Sequence, residues 1–318
     1  MRFAVFLALS VWAAAAWAQA YPSKPVRVVV PYPAGSTPDI IGRSLAERLQ
    51  AAFGQPFVVE NRSGAGGNIG AEAVAKAAGD PHVLLVGGNG PVAINKHLYK
   101  GMSFDPDRDL VPVSLLASAP QMLVVKSDLK LADFKSFVQH ARQNPGRMSY
   151  ASVGGGSASH LTMELLKSEA GIALVHVPYR GFPQATTDML AGTIDAMFAI
   201  VPAVLPHVRS GKVQGLAVTG LKRSQIAPEV PSVAELGLPG LESLAWNGLL
   251  APAGTPAAVL ARLSAETVKG MQRAETKEAL ARLGFDVVAS SPEEFARWIH
   301  AESDKWARVI RASGATAD

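Results

Sequence analysis

Short apolar runs alternate with segments of helical period in the first part of the chain. Val26–Pro31, Phe57–Glu60 and Val83–Val86 have the composition of strands, whereas Pro38–Phe53 and Ile69–Ala78 have a helical pattern of apolar residues. This β-α-β-α-β order predicts a parallel sheet whose strands are joined by right-handed crossovers.

The same alternation begins again near Met148. This second series contains four predicted strands and two predicted helices. They are the strands Met148–Ser152, Leu174–Pro178, Asp195–Ile200 and Val213–Val218 and the helices His160–Ala170 and Pro183–Ala191. Gly171 and Gly192 end the two helices. Two separate series in a chain of 318 residues predict an α/β protein with two lobes.

Two longer apolar stretches, Val111–Val125 and Leu244–Pro252, lie outside these series. We interpret them as paired crossovers between the lobes. The first lobe is then discontinuous, because the C-terminal helices Ala257–Arg273 and Pro292–Ala312 return to it. The predicted boundaries are 21–120 with 246–318 for the first lobe and 121–245 for the second.

Residues at the predicted helix ends support the predicted limits of the first and the last helix. Thr37 can cap the first helix, with Pro38 in its first position and Gly54 beyond its last turn. Ser291 and Glu294 have the spacing of a capping box before the last helix. Such residues satisfy backbone groups that the ends of a helix leave unpaired.

Residues 1–20 have the pattern of a cleavable export signal. Arg2 precedes the apolar run Phe3–Ala16, and the small residues Ala18 and Ala20 follow. Cleavage is expected before Tyr21, although a cut two residues earlier also fits. The apolar run is shorter than the ~20 residues that a membrane anchor needs, so the mature chain is predicted to be soluble and exported.

The composition of the chain excludes several kinds of partner and of chemical site. The formal net charge is only +4, and the lysines and arginines are scattered, which argues against a nucleic-acid partner. The chain has no cysteine, so disulfides, thiolate metal sites and cysteine nucleophiles are excluded. The histidines lack the spacing of helical metal sites, so no metal site is predicted.

Ligands of open parallel sheets bind beyond the carboxyl ends of the strands, where helices begin. Gly154–Ser159 is the strongest candidate, because its three glycines allow close backbone approach and its two serines precede a helix N-terminus. Such a turn can hold a carboxylate without a cation. The alternative is that either serine only caps the helix. Other candidate loops are Pro33–Asp39, Arg62–Asn68, Gly87–Gly90 and Pro178–Pro183.

Two motifs typical of enzymes are incomplete. Gly64–Gly70 lacks the third glycine of a dinucleotide turn. Ser157 lacks the last glycine of a nucleophile elbow, and His160 is too close in sequence to act easily as its base, although His176 or His207 could approach it in space. The sequence therefore predicts binding without catalysis, and an exported serine hydrolase is the less favoured alternative.

Seven segments, in order along the mature chain, resemble the Bug receptors, which are periplasmic solute-binding proteins of tripartite tricarboxylate transporters. They are Tyr21–Arg27, Pro31–Gly35, Val59–Arg62, Gly64–Gly70, His176–Tyr179, Leu205–His207 and Leu249–Gly254. The resemblance implies a Venus-flytrap fold of the type II-like kind, with a mostly parallel sheet flanked by helices in each lobe. It also implies a periplasmic monomer that closes on a small carboxylate, without a cofactor, and delivers it to permease subunits. A receptor that feeds a two-component system is the alternative, since sensing would use the same cleft.

The loops and the resemblance together give a set of candidate ligand contacts, which would act through backbone groups, hydroxyls and bridging waters. They are Tyr32, Pro33, Ala34, Gly35, Ser36, Thr37, Asn89, Gly155, Gly156, Ser157, Ser159, His160, Tyr179 and Gly181.

Three further residues bear on the ligand or on the hinge. Pro38 removes one N–H group from the first loop, where many relatives have another residue. Ala199 stands where relatives frequently have an aspartate, which favours an apolar or aromatic acid over an amino acid, because an ammonium group would be left unpaired. Trp246 is expected to pack beside the second crossover and not to cover the cleft.

Overall fold

The computed structural model describes residues 21–154, 156–179 and 181–317. The predicted export signal, 1–20, and the candidate contact Gly155 lie outside these ranges, so both stay predictions. None of the helices within the ranges combines the length and hydropathy that a bilayer span requires.

Strands form where the sequence has short runs of β-branched and other apolar residues. They are β1 (Val26–Val30), β2 (Phe57–Asn61), β3 (Val83–Gly88), β4 (Leu110–Lys126), β5 (Ser149–Ser152), β6 (Val175–Pro178), β7 (Ala196–Ile200), β8 (Val213–Val218), β9 (Leu244–Pro252) and β10 (Asp286–Val287). Each predicted strand is present, with at most its ends shifted.

The helices follow the strands in the order expected of β-α-β units. They are α1 (Thr37–Phe53), α2 (Asn68–Ala75), α3 (Asn95–Leu98), α4 (Pro106–Asp109), α5 (Phe134–Gln143), α6 (Ala158–Ala170), α7 (Phe182–Leu190), α8 (Val201–Arg209), α9 (Ala257–Met271), α10 (Ala274–Arg282) and α11 (Pro292–Ser313). Helices α3, α4, α5, α8 and α10 are additional to those predicted.

The strands form two groups that share β4. In the first group, β1 pairs in parallel with β2 and β3, and β9 pairs antiparallel with β3 and β4. In the second group, β5 pairs in parallel with β6 and β7, and β4 pairs antiparallel with β7 and β8. The α/β fold class is therefore confirmed. Strands far from the crossovers pair in parallel, namely β1 with β2 and β3, and β5 with β6 and β7. The pairs that involve the crossover strands β4 and β9 are antiparallel, and these two strands run in opposite directions.

Strand β4 is the first of the predicted crossovers. Its residues from Leu110 to Pro120 pair with β9, whereas those from Gln121 to Lys126 pair with β7 and β8. The change of partner falls beside the predicted limit at 120, and the lobe boundaries themselves stay a prediction.

The C-terminal helix α11 joins the hydrophobic clusters of both strand groups. Its first half places Phe295 and Ile299 in a cluster with Trp246 of β9. Its second half places Trp306 and Ile310 among the buried residues that surround α6 and β5. The helix thus contributes to more than the first lobe, to which the sequence assigned it.

Most helix ends have the residues that the sequence predicts there. Gly54 ends α1 in the left-handed conformation, with a φ of 71°. Ser291 and Glu294 form the expected capping box. The prediction for the start of α1 is wrong, since Ser36 and not Thr37 is the N-cap residue. The Ser36 hydroxyl does not cap the helix, because it donates to the Pro33 carbonyl oxygen at 2.6 Å.

Candidate functional site

The turn between β1 and α1 is fixed by a buried carboxylate. Asp39, which is 3% exposed, accepts hydrogen bonds at 2.9 Å from the Gly35 N–H, the Arg43 Nε and the Asn61 Nδ2. Gly35 has a φ of 79°, a conformation that favours glycine. Burial alone would raise the pKa of Asp39, but the hydrogen bonds outweigh it and lower the pKa to about 2. The turn is therefore held by a charged anchor.

These contacts decide which groups of the turn remain for a ligand. The Gly35 N–H is taken by Asp39, and the Ser36 N–H points to the Pro33 carbonyl oxygen at 3.2 Å. Pro33, Ala34 and Gly35 are exposed, and Ser36 and Thr37 are partly exposed. The Ser36 hydroxyl hydrogen is also used within the turn. The remaining exposed backbone and the Thr37 hydroxyl are thus the groups that this turn can offer.

Tyr32 and Gly88 approach each other at the ends of β1 and β3. A Cβ atom on Gly88 would lie 3.6 Å from the Tyr32 hydroxyl and only 2.8 Å from the Trp246 carbonyl oxygen. Burial raises the pKa of Tyr32 to about 12, so its hydroxyl stays protonated near neutral pH. Glycine at position 88 is therefore required by the close approach of the Trp246 backbone in β9, and not by the tyrosine.

The side chain of Asn89 is fully engaged within the protein. Its Nδ2 donates to the Leu244 carbonyl oxygen at 2.9 Å and to Glu302 Oε2 at 3.3 Å, and its Oδ1 accepts from the Trp246 N–H at 3.0 Å. Both Nδ2 hydrogens are thus used within the protein, so this side chain has no free N–H group for a carboxylate.

Glu302 of α11 also binds Trp246, in addition to Asn89. Its Oε2 accepts from the indole N–H groups of Trp246 and Trp306, each at 3.0 Å, and its second oxygen pairs with Lys305. Trp246 is 1% exposed and stacks edge-on against Phe295. The expectation that Trp246 packs beside the crossover is confirmed.

The turn before α6 combines a cap with a row of hydroxyls. Ser157 is the N-cap residue, and its Oγ accepts from the His160 N–H at 3.3 Å and donates to the Gly154 carbonyl oxygen at 2.7 Å. The Ser159 hydroxyl accepts from the Val153 N–H at 3.2 Å and lies 3.1 Å from the Ser157 hydroxyl. Ser157 therefore caps the helix, as the structural alternative expected, and keeps its place in the candidate turn.

Gly156 is tightly enclosed. It has a φ of 70°, and a Cβ atom there would lie 2.3 Å from the Leu98 Cδ1 atom. Its N–H donates to His160 Nδ1 at 2.9 Å, which places the proton of a neutral His160 ring on Nε2. Leu98 follows β3, so this contact joins the turn of the second strand group to the first.

Three stacked aromatic rings pack beside the turn before α6. The rings of His160 and His176 are parallel and 4.0 Å apart, and Tyr150 stacks on His176 at 4.9 Å. His176 Nε2 lies 2.6 Å from the Ser152 hydroxyl, and the Tyr150 hydroxyl donates to Glu164 at 2.5 Å. Burial, reinforced by Glu164, raises the pKa of Tyr150. The sequence did not identify this support, because its members come from three separate elements.

Tyr179 and Gly181 form the third predicted part of the site. The Tyr179 N–H donates to the Ser152 carbonyl oxygen at 2.9 Å, and its hydroxyl donates to Asp188 at 2.7 Å. Burial, followed by the contact with Asp188, raises the pKa of Tyr179 to about 12. Gly181 precedes α7 as its N-cap residue. The loop after β6 is therefore tied directly to the loop after β5.

Hydrogen bonds among the described residues divide the candidates into two half-sites. The first half-site contains residues 32–37 and Asn89, which comes directly after β3. The second half-site contains residues 156–160, Tyr179 and Gly181. Each half-site has the N-terminus of a helix of more than three turns, α1 or α6. Backbone N–H groups and hydroxyls at such ends suit an anionic group.

The geometry does not favour catalysis by Ser157. Its hydroxyl donates to a backbone carbonyl oxygen, not to a histidine ring, whereas a nucleophilic serine needs a base as its acceptor. No group of three potential metal ligands is found within the described residues.

Ala199 has an environment that differs from the one inferred. Its side chain is 0% exposed and belongs to an apolar cluster with Met122, Ala185 and Val201. It thus packs beneath α7 and α8, and the structure gives no support to the inference that this position selects the ligand.

Comparisons with known proteins cover nearly the whole chain. A family model described as "Tripartite tricarboxylate transporter family receptor" matches residues 41–315. Protein BugT of Bordetella pertussis is 36% identical over 312 residues, which are 98% of this chain and 96% of BugT.

Solved structures with the same fold include proteins that carry small acids. R. palustris Rpa4515 with adipate has a TM-score of 0.81 and 33% identity, and the match covers 93% of this chain and 99% of that protein. MatC from Rhodopseudomonas palustris with bound malate has a TM-score of 0.77 and 31% identity, over 91% of this chain and 100% of MatC.

Proposed function

Because this chain belongs to the tripartite tricarboxylate transporter receptor family, we propose that it is a periplasmic receptor that captures a small carboxylate and delivers it to the membrane subunits of such a transporter. The resemblance to the Bug receptors is confirmed, and the chain is a solute-binding protein, not an enzyme. Export, a monomeric state and delivery to a permease are parts of the proposal.

The observation that carries the proposal is the pair of half-sites built at helix N-termini. Each presents hydroxyls and backbone N–H groups, and the described candidate residues include no lysine or arginine side chain. A carboxylate can be held in this way, since its oxygens accept from N–H groups aligned with the helix dipole. Adipate and malate, the acids in the two solved relatives, have a carboxylate at each end, and we expect such an acid to place one carboxylate at each half-site.

A thermal-shift and calorimetric screen tests the binding step. Adipate, malate, tricarboxylates, aromatic acids and amino acids are titrated into the exported protein. A ligand that binds only the folded state raises the melting temperature, by an amount that grows with its concentration. A flat response to every carboxylate would refute the proposal.

Two serine variants test the location of the site. Ser157→Ala removes the N-cap of α6, whose hydroxyl accepts from the His160 N–H at 3.3 Å, and Ser291→Ala removes the matching cap of α11, which accepts from the Glu294 N–H at 3.2 Å. Each loses about 1 kcal/mol of stability, but only Ser157→Ala weakens ligand binding. Equal affinities of the two variants would place the ligand elsewhere.

Delivery to a permease needs a separate test. Cells that lack the chain are expected to lose uptake of the labelled acid that binds in calorimetry, and a plasmid copy of the chain restores it. Unchanged uptake in the deletion strain would favour a sensory role over transport.

A further inference from the structure

The chain passes from one strand group to the other where β4 and β9 lie side by side. Pro120 pairs with Leu244, the first residue of β9, whereas the next residue, Gln121, pairs with Ile200 of β7. Strand β4 therefore changes its pairing partner between two consecutive residues. Any rotation of one group relative to the other must be accommodated by the backbone at this point.

Uncharged polar side chains are buried beside this point. We call Gln121, Thr162, Thr219 and Ser243 the crossover cluster; none of them is more than 2% exposed. Gln121 Nε2 donates to the Thr162 hydroxyl at 2.8 Å and to the Ser243 hydroxyl at 3.2 Å, and these two hydroxyls lie 2.6 Å apart. The Thr219 hydroxyl donates to the Ser243 carbonyl oxygen and accepts from the Gln121 N–H at 2.8 Å.

The members of the crossover cluster come from separate parts of the chain. Gln121 lies in β4, Thr219 follows β8, and Ser243 precedes β9, so both crossings between the strand groups are included. Thr162 lies in α6, about one and a half turns beyond its N-cap residue Ser157. The helix that begins at the second half-site is therefore hydrogen-bonded directly to both crossings.

The segment next to the cluster is fixed to the opposite group in a similar way. The Leu244 carbonyl oxygen and the Trp246 N–H are held by Asn89, and the Trp246 indole is held by Glu302. Ser243, which is held by the second group, is thus followed directly by Leu244, whose carbonyl oxygen is held by the first. The chain passes from one set of contacts to the other within this short link.

We propose that Thr162 is a positioning residue that couples the second half-site to the hinge, so that a carboxylate held at the start of α6 restrains the link at 243–245. This role deepens the proposed function and rests on it, because it requires a ligand at that half-site. Thr162 does not touch the ligand. It acts through α6 on one side and through Gln121 and Ser243 on the other.

Three variants isolate the Thr162 hydroxyl. Thr162→Val has the same shape but leaves a buried donor of Gln121 with one partner fewer. Thr162→Ser keeps the hydroxyl. Thr276→Val is the matched control, because Thr276 is 1% exposed and donates one hydrogen bond, to the Gly270 carbonyl oxygen at 3.1 Å, away from the crossings.

Hydrogen exchange, followed by mass spectrometry in peptides that cover 242–246, gives the readout, without ligand and with saturating adipate or malate. In Thr162→Val without ligand, we expect about fivefold faster exchange than in the native protein. An acid that binds slows exchange here in the native protein but not in Thr162→Val, whose affinity also falls about fivefold. Thr162→Ser restores both properties, and Thr276→Val lowers only the melting temperature.

The proposal is overturned if Thr162→Val exchanges like Thr276→Val at 242–246, or if the acid still protects these amides in Thr162→Val. If neither acid binds the native protein, the proposed function fails for these ligands. The exchange rates without ligand then test only the contact of Thr162 with the link, and equal rates in the two valine variants refute its role. If Thr162→Val exchanges faster, the other acids of the thermal-shift screen are used, and an acid that still protects these amides in Thr162→Val overturns the proposal.

Discussion

Replacing Asp39 by asparagine tests whether one buried charge fixes the turn of the first half-site. The substitution keeps the shape of the side chain and removes its charge. Asp39 Oδ2 accepts from both the Gly35 N–H and the Arg43 Nε, at 2.9 Å each. Asp39 Oδ1 also accepts from Asn61 Nδ2, whereas an asparagine has only one acceptor oxygen, so some of these donors would face an N–H group. The turn therefore loses part of its anchor.

The expected magnitude follows from the pKa of Asp39, which is lowered from 3.8 to about 2. A carboxylate with a lowered pKa contributes stability that is present above the unfolded pKa and is lost as the pH falls through the folded pKa. The full shift corresponds to roughly 2.4 kcal/mol. The Arg43 side chain is 55% exposed, so solvent screening reduces the expected contribution to about 1 kcal/mol.

Urea unfolding of the native protein and Asp39→Asn, repeated from about pH 6 down to about pH 2, measures this contribution. The native protein should be more stable by about 1 kcal/mol above pH 4, and the difference should shrink as the pH falls from 4 to 2. Asp304→Asn, at an exposed position of α11, is the control and should show no such change. A difference that does not depend on pH would refute the reasoning.

Two further substitutions test the packing around the site. Gly156→Ala should lower the free energy of unfolding by about 3 kcal/mol, because the backbone at this position is left-handed and the new Cβ atom would lie 2.3 Å from Leu98. Adding Leu98→Ala should relieve this clash. If urea unfolding shows that the two losses of stability are simply additive, this packing is contradicted. Glu302→Gln removes the charged partner of Lys305, which keeps its hydrogen bond to the Glu242 carbonyl oxygen, and should cost about 2 kcal/mol. It should also change the emission of the two indoles that donate to Glu302, whereas Asp304→Asn should not; unchanged emission would contradict the arrangement.

The fold could be predicted where an element has a continuous or a periodic run of apolar residues. Strands β1, β3 and β8 and helices α1 and α6 have clear apolar patterns, and their limits differ from the predicted ones by only a few residues. Helix α8 was missed because Pro206 lies inside it, and proline usually ends a helix. Helix α10 was missed because it buries only Thr276 and Leu280. Helix α5 could have been found, since Asp133 and Ser136 form its capping box.

The site could be predicted only as far as local signals extend. The loops after β1, β5 and β6 follow from the rule that ligands bind at the carboxyl ends of strands. The engagement of Asn89 could not be predicted, because its partner Glu302 lies 213 residues further along the chain. The environment of Ala199 depends on how α7 and α8 pack over the sheet, and one of these helices was itself missed.

The C-terminal helix α11 also determines when the protein can finish folding. Phe295 in its first half and Trp306 in its second half complete two different clusters. Neither core is complete before this helix docks, because each cluster takes buried residues from it. The two strand groups therefore reach their full stability in the same step, and damage to this one helix destabilises both.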